Sequence, residues 1–178
     1  EISGDFYDVF KVDDTHLGFV IADVSGKGIP AALFMAVSRT VIRTKGIGCL
    51  NTEEVMTQSN NMLSEDSVNS MFVTVFYGVI NVETGAIDYV NAGHNPPYIV
   101  HADGTFEQLP KADNIVLGVM DDIHYYKHTL QLNPGDALVM YTDGVTEAFN
   151  EEFVEYTEAR LEKILPSFND KSCEQICK

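Results

Sequence analysis

The stretch DFYDVFKVDDTHLGFVIAD, residues 5–23, decides the fold, because it is typical of two β-strands joined by a tight turn. Both halves are rich in β-branched and aromatic residues, and Asp13-Asp14-Thr15 between them has typical turn composition. A three-residue loop makes the numbers of paired residues add to 28, so Asp5 faces Asp23. Directly opposed side chains on one sheet face have Cβ atoms about 5 Å apart. The hairpin therefore predicts two adjacent carboxylates, which repel each other unless cations lie between them.

The register of this hairpin rests on the length of its loop. A two-residue loop would shift the pairing by one residue and turn one of the two carboxylates to the other face. Asp8 differs from Asp5 in parity, so in a regular strand its side chain points away from Asp5. Asp8 is therefore the weaker candidate for a metal ligand.

Aspartate stands beside or close to glycine in three separate stretches, SGDFYD at 3–8, ADVSGKG at 22–28 and YTDGVTE at 141–147. One such motif alone is common turn chemistry. If folding brings the three together, they form an all-oxygen site, which suits Mg²⁺ or Mn²⁺ better than zinc or copper. Three converging motifs favour the metal interpretation.

The composition indicates one globular domain, with 45% apolar and 21% charged residues in 178. The net charge of −16, from 27 acidic and 11 basic residues, argues against a nucleic-acid partner. The negative charge would also repel a phosphorylated substrate, so phosphate chemistry in this protein needs metal ions that make the local charge positive. Three sparsely placed cysteines and no apolar run of membrane-spanning length predict a protein of the cytoplasm.

Along the rest of the chain the pattern predicts two helices, several antiparallel strands and a final helix, which is an α+β layout. The first helix begins at Ile29 and carries an apolar stripe of Leu33, Val37 and Val41 with Phe34 alongside, which predicts a half-buried helix. The second runs to about Ser64 behind an Asn51 cap. Strands are predicted at 71–82, 86–92, 98–101, 106–109, 124–132 and 137–141, and a helix at 152–165.

Four motifs together resemble the SpoIIE/RsbU-like branch of the metal-dependent protein phosphatases, relatives of protein phosphatase 2C. They are GDFYD at 4–8, DVSGKG at 23–28, NAGHNPP at 91–97 and YTDGVTEA at 141–148. The resemblance implies a four-layer sandwich of two antiparallel β-sheets flanked by α-helices. It also implies a centre of two Mn²⁺ or Mg²⁺ ions that activate a water to hydrolyse phosphoserine or phosphothreonine.

Carried onto this chain, the resemblance makes Asp23 the ligand that bridges both metals, assisted by the carbonyl of Val24. Asp5 and Asp143 would each hold one metal. The family pattern has a further late aspartate before its closing strands, and the setting of Asp170 does not match it. The expectation is therefore a single phosphatase domain over residues 1–178, incomplete at both its N- and C-termini.

Five other residues are candidates of lower rank for contacts to the metal ligands or to the phosphate. Each has a competing structural role: a strand position for Asp8, a loop lysine for Lys27, a turn for Gly144, a cap or surface pair for Glu147, and a hydrogen bond within a rigid turn for His94. For His94 the structural role is favoured, and for Glu147 the two interpretations are equal.

The resemblance also names a class of partner, a phosphorylated anti-anti-sigma-factor-type protein with a STAS domain, and implies a sensory or regulatory domain upstream. The sequence leaves open whether the helices of residues 29–64 pair with a second copy in a homodimer. The alternative function is a signalling module of the same fold that binds a partner without catalysis. Intact aspartates in all three motifs favour the enzyme.

Overall fold

The computed structural model describes residues 3–65, 71–168 and 171–177. Within these residues two antiparallel sheets form, one with the strand order β1-β2-β3-β4-β7 and one with the order β6-β5-β8. The strands are β1 Phe6–Lys11, β2 His16–Val24, β3 Val73–Asn81, β4 Ala86–Ala92, β5 Tyr98–Val100, β6 Phe106–Gln108, β7 His128–Gln131 and β8 Ala137–Val139. The helices are α1 Ile29–Gly46, α2 Thr52–Glu65, α3 Asp143–Thr146, α4 Glu158–Ile164 and α5 Cys173–Ile176. The predicted α+β class is confirmed.

The chain divides into two compact units. The first unit comprises residues 1–94 and 111–131 and holds the five-stranded sheet with α1 and α2. The second unit comprises residues 95–110 and 132–178 and holds the three-stranded sheet with α3, α4 and α5. The single domain that the sequence predicts stays a prediction.

The first hairpin has the predicted register. Its paired residues run from Phe6 with Ala22 to Lys11 with Leu17, so the numbers in every pair add to 28. The amide of Val12 donates to the carbonyl of His16, which closes the turn in the same register. The three-residue turn is therefore correct, and the hairpin places successive β1 side chains alternately on its buried and exposed faces.

Helix α1 packs on the buried face of this hairpin and is half-buried, as the sequence predicts. Within its apolar stripe Phe34 is buried and Val41 packs against the core, whereas Leu33 and Val37 are 64% and 44% exposed. The buried positions are Ala31, Phe34, Ser38, Ile42 and Gly46.

Close approach of α1 to the sheet explains which side of the helix is buried. A Cβ atom on Gly46 would lie 2.6 Å from the Phe10 ring and 2.8 Å from the Tyr77 hydroxyl. The Phe10 and Tyr77 side chains already fill the space at this position, so glycine at position 46 allows the helix to approach the sheet. Steric fit to the sheet thus adds small residues, Ser38 and Gly46, to the buried side that Phe34 and Ile42 share.

Helix α2 begins where the sequence predicts. The side-chain oxygen of Asn51 accepts hydrogen bonds from the amides of Glu53 and Glu54, as an N-cap does. Farther along, the buried Asn60 donates to the Met120 carbonyl at 2.7 Å and accepts from the Gly118 amide at 3.0 Å. These two bonds fasten the segment before β7 to the helix.

In the second unit the last long helix is shorter than the sequence predicts. Helix α4 begins at Glu158, so the prediction of a helix from residue 152 is wrong at its start. The side chain of Asn150 accepts from the amides of Glu152 and Val154, which holds this stretch in a turn. Such side-chain bonds compete with helix formation for the same backbone groups.

Among the described residues no helix is long and apolar enough to cross a membrane. The three cysteines, Cys49, Cys173 and Cys177, are free thiols. Asp170, the acidic residue whose setting does not match the late family motif, lies outside the described residues.

Candidate metal centre at the end of the first hairpin

The open end of the β1–β2 hairpin carries the first two candidate carboxylates. Phe6 pairs with Ala22, so the register continued by one residue places Asp5 opposite Asp23. Both aspartates are half-buried, whereas Phe6, Ala22 and Val24 beside them are buried. The two acidic residues therefore share the face that points away from α1.

Glycine at position 4 lets the two strands approach each other at this end. A Cβ atom on Gly4 would lie 2.8 Å from the Val24 Cβ and 3.0 Å from the Val24 carbonyl oxygen. Distances below 3.0 Å are not tolerated between such atoms, so only glycine fits. The stretch that carries Asp5 thus lies directly against the carbonyl that is predicted to assist Asp23.

These groups fit the predicted ion, because carboxylate and carbonyl oxygens are the donors that Mg²⁺ and Mn²⁺ prefer. Across residues 3–65, 71–168 and 171–177 no group of three or more histidine, cysteine, aspartate or glutamate side chains is arranged to hold a metal. The hairpin contributes two carboxylates and one carbonyl, and Asp143 belongs to the second unit. That Asp143 binds metal together with Asp5, Asp23 and the Val24 carbonyl stays a prediction.

The main chain at Asp23 is connected to His94 through Thr74. Thr74 pairs with Asp23 across the β2–β3 ladder, and its hydroxyl donates to the Asp23 carbonyl at 3.4 Å. The same hydroxyl lies 2.9 Å from Nδ1 of His94. Sequence reasoning did not identify Thr74, because nothing in the local pattern distinguishes it from other strand residues.

His94 is held in place by its own turn. Its amide donates to the side-chain oxygen of Asn91 at 2.9 Å, and the Asn91 amide group donates to the His94 carbonyl at 3.1 Å. Gly93 before it has φ of 74°, and a Cβ there would meet a Val116 methyl at 2.4 Å. The histidine is 3% exposed. This geometry is that of the rigid turn expected from the sequence, with the ring directed to Thr74.

Asp8 lies on the opposite face and binds two arginines of α1. Arg43 donates to both carboxylate oxygens at 2.8 and 2.9 Å, and an Arg39 nitrogen lies 3.2 Å away. Burial alone raises the pKa of Asp8, but the hydrogen bonds and charges of Arg43 and Arg39 outweigh it and hold the pKa below its ordinary value. The carboxylate therefore stays ionised as an anchor between β1 and α1.

Lys27 lies in the loop that follows Asp23 and Val24. The loop is fastened at its start, because the Ser25 amide donates to the Phe72 carbonyl at 2.9 Å and the Ser25 hydroxyl accepts from the Phe72 amide at 3.0 Å. Gly26 and Gly28 have φ of 87° and 80°, which glycine adopts without strain. Lys27 between them is exposed. A contact from Lys27 to phosphate stays a prediction.

The third candidate carboxylate begins a single helical turn in the second unit. Asp143 is the first residue of α3 and is half-buried, and Gly144 follows it in the exposed part of the turn. The Glu147 amide donates to the Asp143 carbonyl at 2.7 Å, and the Thr146 hydroxyl donates to the same oxygen at 3.3 Å. Glu147 thus caps the turn with its backbone, and its exposed side chain keeps no assigned role.

Two tyrosines brace the strands next to Asp143. Tyr141, two residues before it, donates its hydroxyl to Glu158 of α4 at 3.0 Å, and Tyr98 of β5 donates to Glu162 at 3.0 Å. The two rings stack with centroids 5.9 Å apart. Burial, followed by the hydrogen bond to Glu158, raises the pKa of Tyr141 to about 12, so its proton is always present for this bond.

The fold is that of the protein phosphatase 2C class. The PP2C phosphatase domain of SpoIIE from Bacillus subtilis matches with a TM-score of 0.79 and 19% identity, over 96% of this chain and 50% of that chain. The RsbU and RsbW domains of a Mycobacterium tuberculosis protein match with a TM-score of 0.77 and 26% identity, over 94% of this chain and 47% of that chain.

The sequence gives the family within this class. Residues 13–178 match the family model described as Stage II sporulation protein E (SpoIIE), and the chain belongs to this family. Phosphoserine phosphatase RsbU of Bacillus subtilis is 33% identical over 180 residues, which cover 100% of this chain and 52% of RsbU. The chain thus spans about half the length of this relative. The predicted resemblance to the SpoIIE/RsbU-like branch is confirmed.

Proposed function

We propose that the chain is the catalytic part of a Mn²⁺- or Mg²⁺-dependent protein serine/threonine phosphatase. The observation that supports this proposal most directly is the register of the first hairpin, because continuing its pairing by one residue sets Asp5 opposite Asp23, beside the Val24 carbonyl. Membership of a family that includes a named phosphoserine phosphatase supports the same reaction class.

The proposed ligands follow from this geometry and from the family pattern. The carboxylates of Asp5, Asp23 and Asp143, together with the Val24 carbonyl, would hold the divalent ions. Bound divalent ions supply an acidified water, orient the phosphate and stabilise its charge. The chain itself contributes the placement of the carboxylates, through the ladder that pairs Asp23 with Thr74 and the close fit of Gly4 against Val24.

The proposed substrate is phosphoserine or phosphothreonine on a STAS-domain protein of the anti-anti-sigma-factor type, in the cytoplasm. RsbU is named a phosphoserine phosphatase, which supports the phosphorylated residue. The net charge of −16 makes an approaching phosphate unfavourable without cations, which supports the requirement for metal. An upstream sensory domain in the longer protein is part of the same proposal.

The test replaces Asp23 with alanine in the full-length protein. We expect manganese-dependent hydrolysis of a phosphoserine peptide to be lost while the far-UV circular dichroism spectrum stays the same. Asp14→Ala is the matched control, because Asp14 lies in the same hairpin with its side chain 96% exposed. A wild-type rate in the Asp23→Ala protein would reject the proposal.

A second measurement separates the enzyme from a binding module without catalysis. A ligand that binds only the folded state raises the melting temperature. Manganese should therefore stabilise the wild-type protein and leave Asp23→Ala nearly unchanged. Absence of manganese stabilisation and of hydrolysis in the wild-type protein would favour the non-catalytic module.

A further inference from the structure

The basic residues of this acidic chain are concentrated around one helix. Residues 24–52 contain four basic side chains, Lys27, Arg39, Arg43 and Lys45, and no acidic one. The remainder of the chain contains seven basic residues and all 27 acidic ones. Helix α1 is thus the part of the sequence with positive charge in a molecule of net charge −16.

The same helix exposes apolar side chains in a row. Ile29, Leu33 and Val37 are four residues apart and therefore lie on one side of α1, and they are 67%, 64% and 44% exposed. The buried side of the helix has apolar residues of its own, Phe34 and Ile42, so this row is a second apolar side that the rest of α1 leaves exposed. An apolar row that faces solvent on a helix is a surface suited to a partner.

The apolar row continues into two basic side chains. Arg39 and Arg43 are 47% and 41% exposed, although both bind Asp8. One carboxylate neutralises one of the two guanidinium charges, so a net positive charge stays at the surface. Lys27 is exposed just before the helix begins. The row of Ile29, Leu33 and Val37 therefore has positive charge near both of its ends.

We propose that this exposed side of α1, made of Ile29, Leu33, Val37 and Arg39, is the docking surface for the phosphoprotein substrate, through an acidic surface with an apolar centre. This inference rests on the proposed function and names how its substrate is recognised. The surface recognises the body of the protein substrate, whereas the phosphorylated residue occupies the metal centre.

Position along the chain supports this occupant. Helix α1 begins five residues after Val24, so a short loop joins the candidate metal centre to the start of the docking surface. From Ile29 to Val37 the helix rises about 12 Å, enough to contact a partner well beyond the phosphorylated residue. Asp23 lies on the face of the hairpin that points away from α1, so a protein docked on α1 reaches Asp23 around the end of the hairpin, where the loop from Val24 to Ile29 begins the helix.

Charge supports an acidic partner over a second copy of this chain. An acidic protein is repelled by most of this molecule and attracted by α1, which steers it to one orientation. A symmetric dimer through α1 would bring the same basic residues of both copies together, because a two-fold interface pairs a patch with itself. The complementary occupant is therefore acidic.

The experiment compares two substrates of the full-length protein. One is a serine-phosphorylated STAS-domain protein that the wild-type enzyme hydrolyses, and the other is p-nitrophenyl phosphate, which has no protein surface. For the double variant Leu33→Gln, Val37→Gln we expect KM for the phosphoprotein to rise about tenfold or more with kcat unchanged. Both constants for p-nitrophenyl phosphate should stay at wild-type values. Phe153→Gln, at a residue that is 84% exposed in the second unit, is the control.

Salt dependence tests the charge. Raising ionic strength from about 0.05 to about 0.3 M should raise the wild-type KM for the phosphoprotein, because salt screens exposed charges. Arg39→Gln should weaken this dependence, and Arg43 still binds Asp8 in that variant.

Each contrary outcome identifies a different error. If the KM for the phosphoprotein is unchanged in the double variant, the proposed docking surface is wrong. Hydrolysis of p-nitrophenyl phosphate in the same experiment would still uphold the proposed function. Loss of binding to anionic phospholipid vesicles with an unchanged phosphoprotein KM would assign the surface to a membrane. A change from dimer to monomer with altered kcat for both substrates would assign it to a second copy. A wild-type protein inactive on both substrates would reject the proposed function itself.

Discussion

The two regions that carry the candidate carboxylates are held by different physical means. In the first unit, Asp23 lies inside a nine-residue strand paired on both sides, and Asp5 directly precedes its partner strand. In the second unit, Asp143 begins one helical turn, and β8 before it has three residues. Ladder register positions the first two carboxylates, whereas the side-chain bond from Tyr141 to Glu158 braces the third. The strand site is therefore rigid by topology, and the turn site depends on a few polar contacts.

The largest expected effect compares the aspartates themselves. Asp23→Asn and Asp143→Asn should each lower manganese-dependent hydrolysis by at least about 100-fold, since loss of a ligand exceeds loss of a supporting contact. Their effects on metal binding should differ. Asp143→Asn leaves Asp5, Asp23 and the Val24 carbonyl together, so it should keep part of the manganese-induced rise in melting temperature, and Asp23→Asn should lose nearly all of it.

Differential scanning fluorimetry with and without manganese measures both variants. Melting temperatures without metal should stay near the wild-type value, because neither side chain is fully buried. Equal loss of the manganese effect in the two variants would contradict the idea that the hairpin binds an ion by itself.

The next effect concerns the anchor behind the hairpin. Asp8→Asn should lower the free energy of unfolding by about 1–2 kcal/mol, less than for a fully buried pair, because both arginines are partly solvated. The pKa of Asp8 is lowered in the folded protein, so its contribution is present above the unfolded-state pKa of about 3.9 and is lost as pH falls through the folded-state pKa. In urea unfolding, the difference in free energy of unfolding between the wild-type protein and Asp8→Asn should therefore become smaller below about pH 4.

Asp14→Asn is the matched control for this anchor. Asp14 binds Lys11 in the same hairpin, but the two side chains are 96% and 65% exposed. Exposed ion pairs contribute little, so the control should change stability by less than about 0.5 kcal/mol. If Asp8→Asn and Asp14→Asn lowered the free energy of unfolding equally, burial against α1 would not strengthen the ion pairs of Asp8 with Arg39 and Arg43.

How far the sequence could predict these regions follows from the range of the interactions involved. Loop length and residue alternation are local, and they gave the register that places Asp5 opposite Asp23. The partners of Asp8 lie 31 and 35 residues away, so no local pattern reveals them. The side of α1 that is buried depends on the sizes of sheet residues such as Phe10, which a helical pattern alone does not contain.

The second unit was harder to predict for a related reason. Short elements carry weak periodicity, and polar side chains such as Asn150 set their limits by bonding backbone groups. The motif around Asp143 was recognisable by its composition, whereas the brace from Tyr141 to Glu158 spans 17 residues and was missed. Sequence reasoning thus found the carboxylates and not the contacts that support them.

A smaller effect tests that brace. Tyr141→Phe should cost about 1 kcal/mol of stability through loss of one hydrogen bond, and it should lower phosphatase activity up to about tenfold by loosening the turn at Asp143. Tyr98→Phe is the matched control, since it removes a bond of the same 3.0 Å length to Glu162 in the same unit. The control should lose similar stability in urea unfolding and keep its activity. Equal activity in the two variants would show that the brace does not act on Asp143.

The smallest expected effect lies at Thr74, where ladder and side-chain bond act together. Thr74→Val keeps the shape and the strand pairing with Asp23 but removes the hydroxyl that contacts the Asp23 carbonyl and His94. Because the ladder already fixes Asp23, we expect activity at sub-saturating manganese to fall only two- to fivefold, which corresponds to about 0.4–1 kcal/mol. The KM for manganese should rise, whereas kcat at saturating manganese should stay nearly unchanged. Thr74→Ser restores the hydroxyl and should restore the wild-type manganese dependence. A loss as large as that of Tyr141→Phe would mean that register alone does not hold the strand site, and the contrast between the two regions would then disappear.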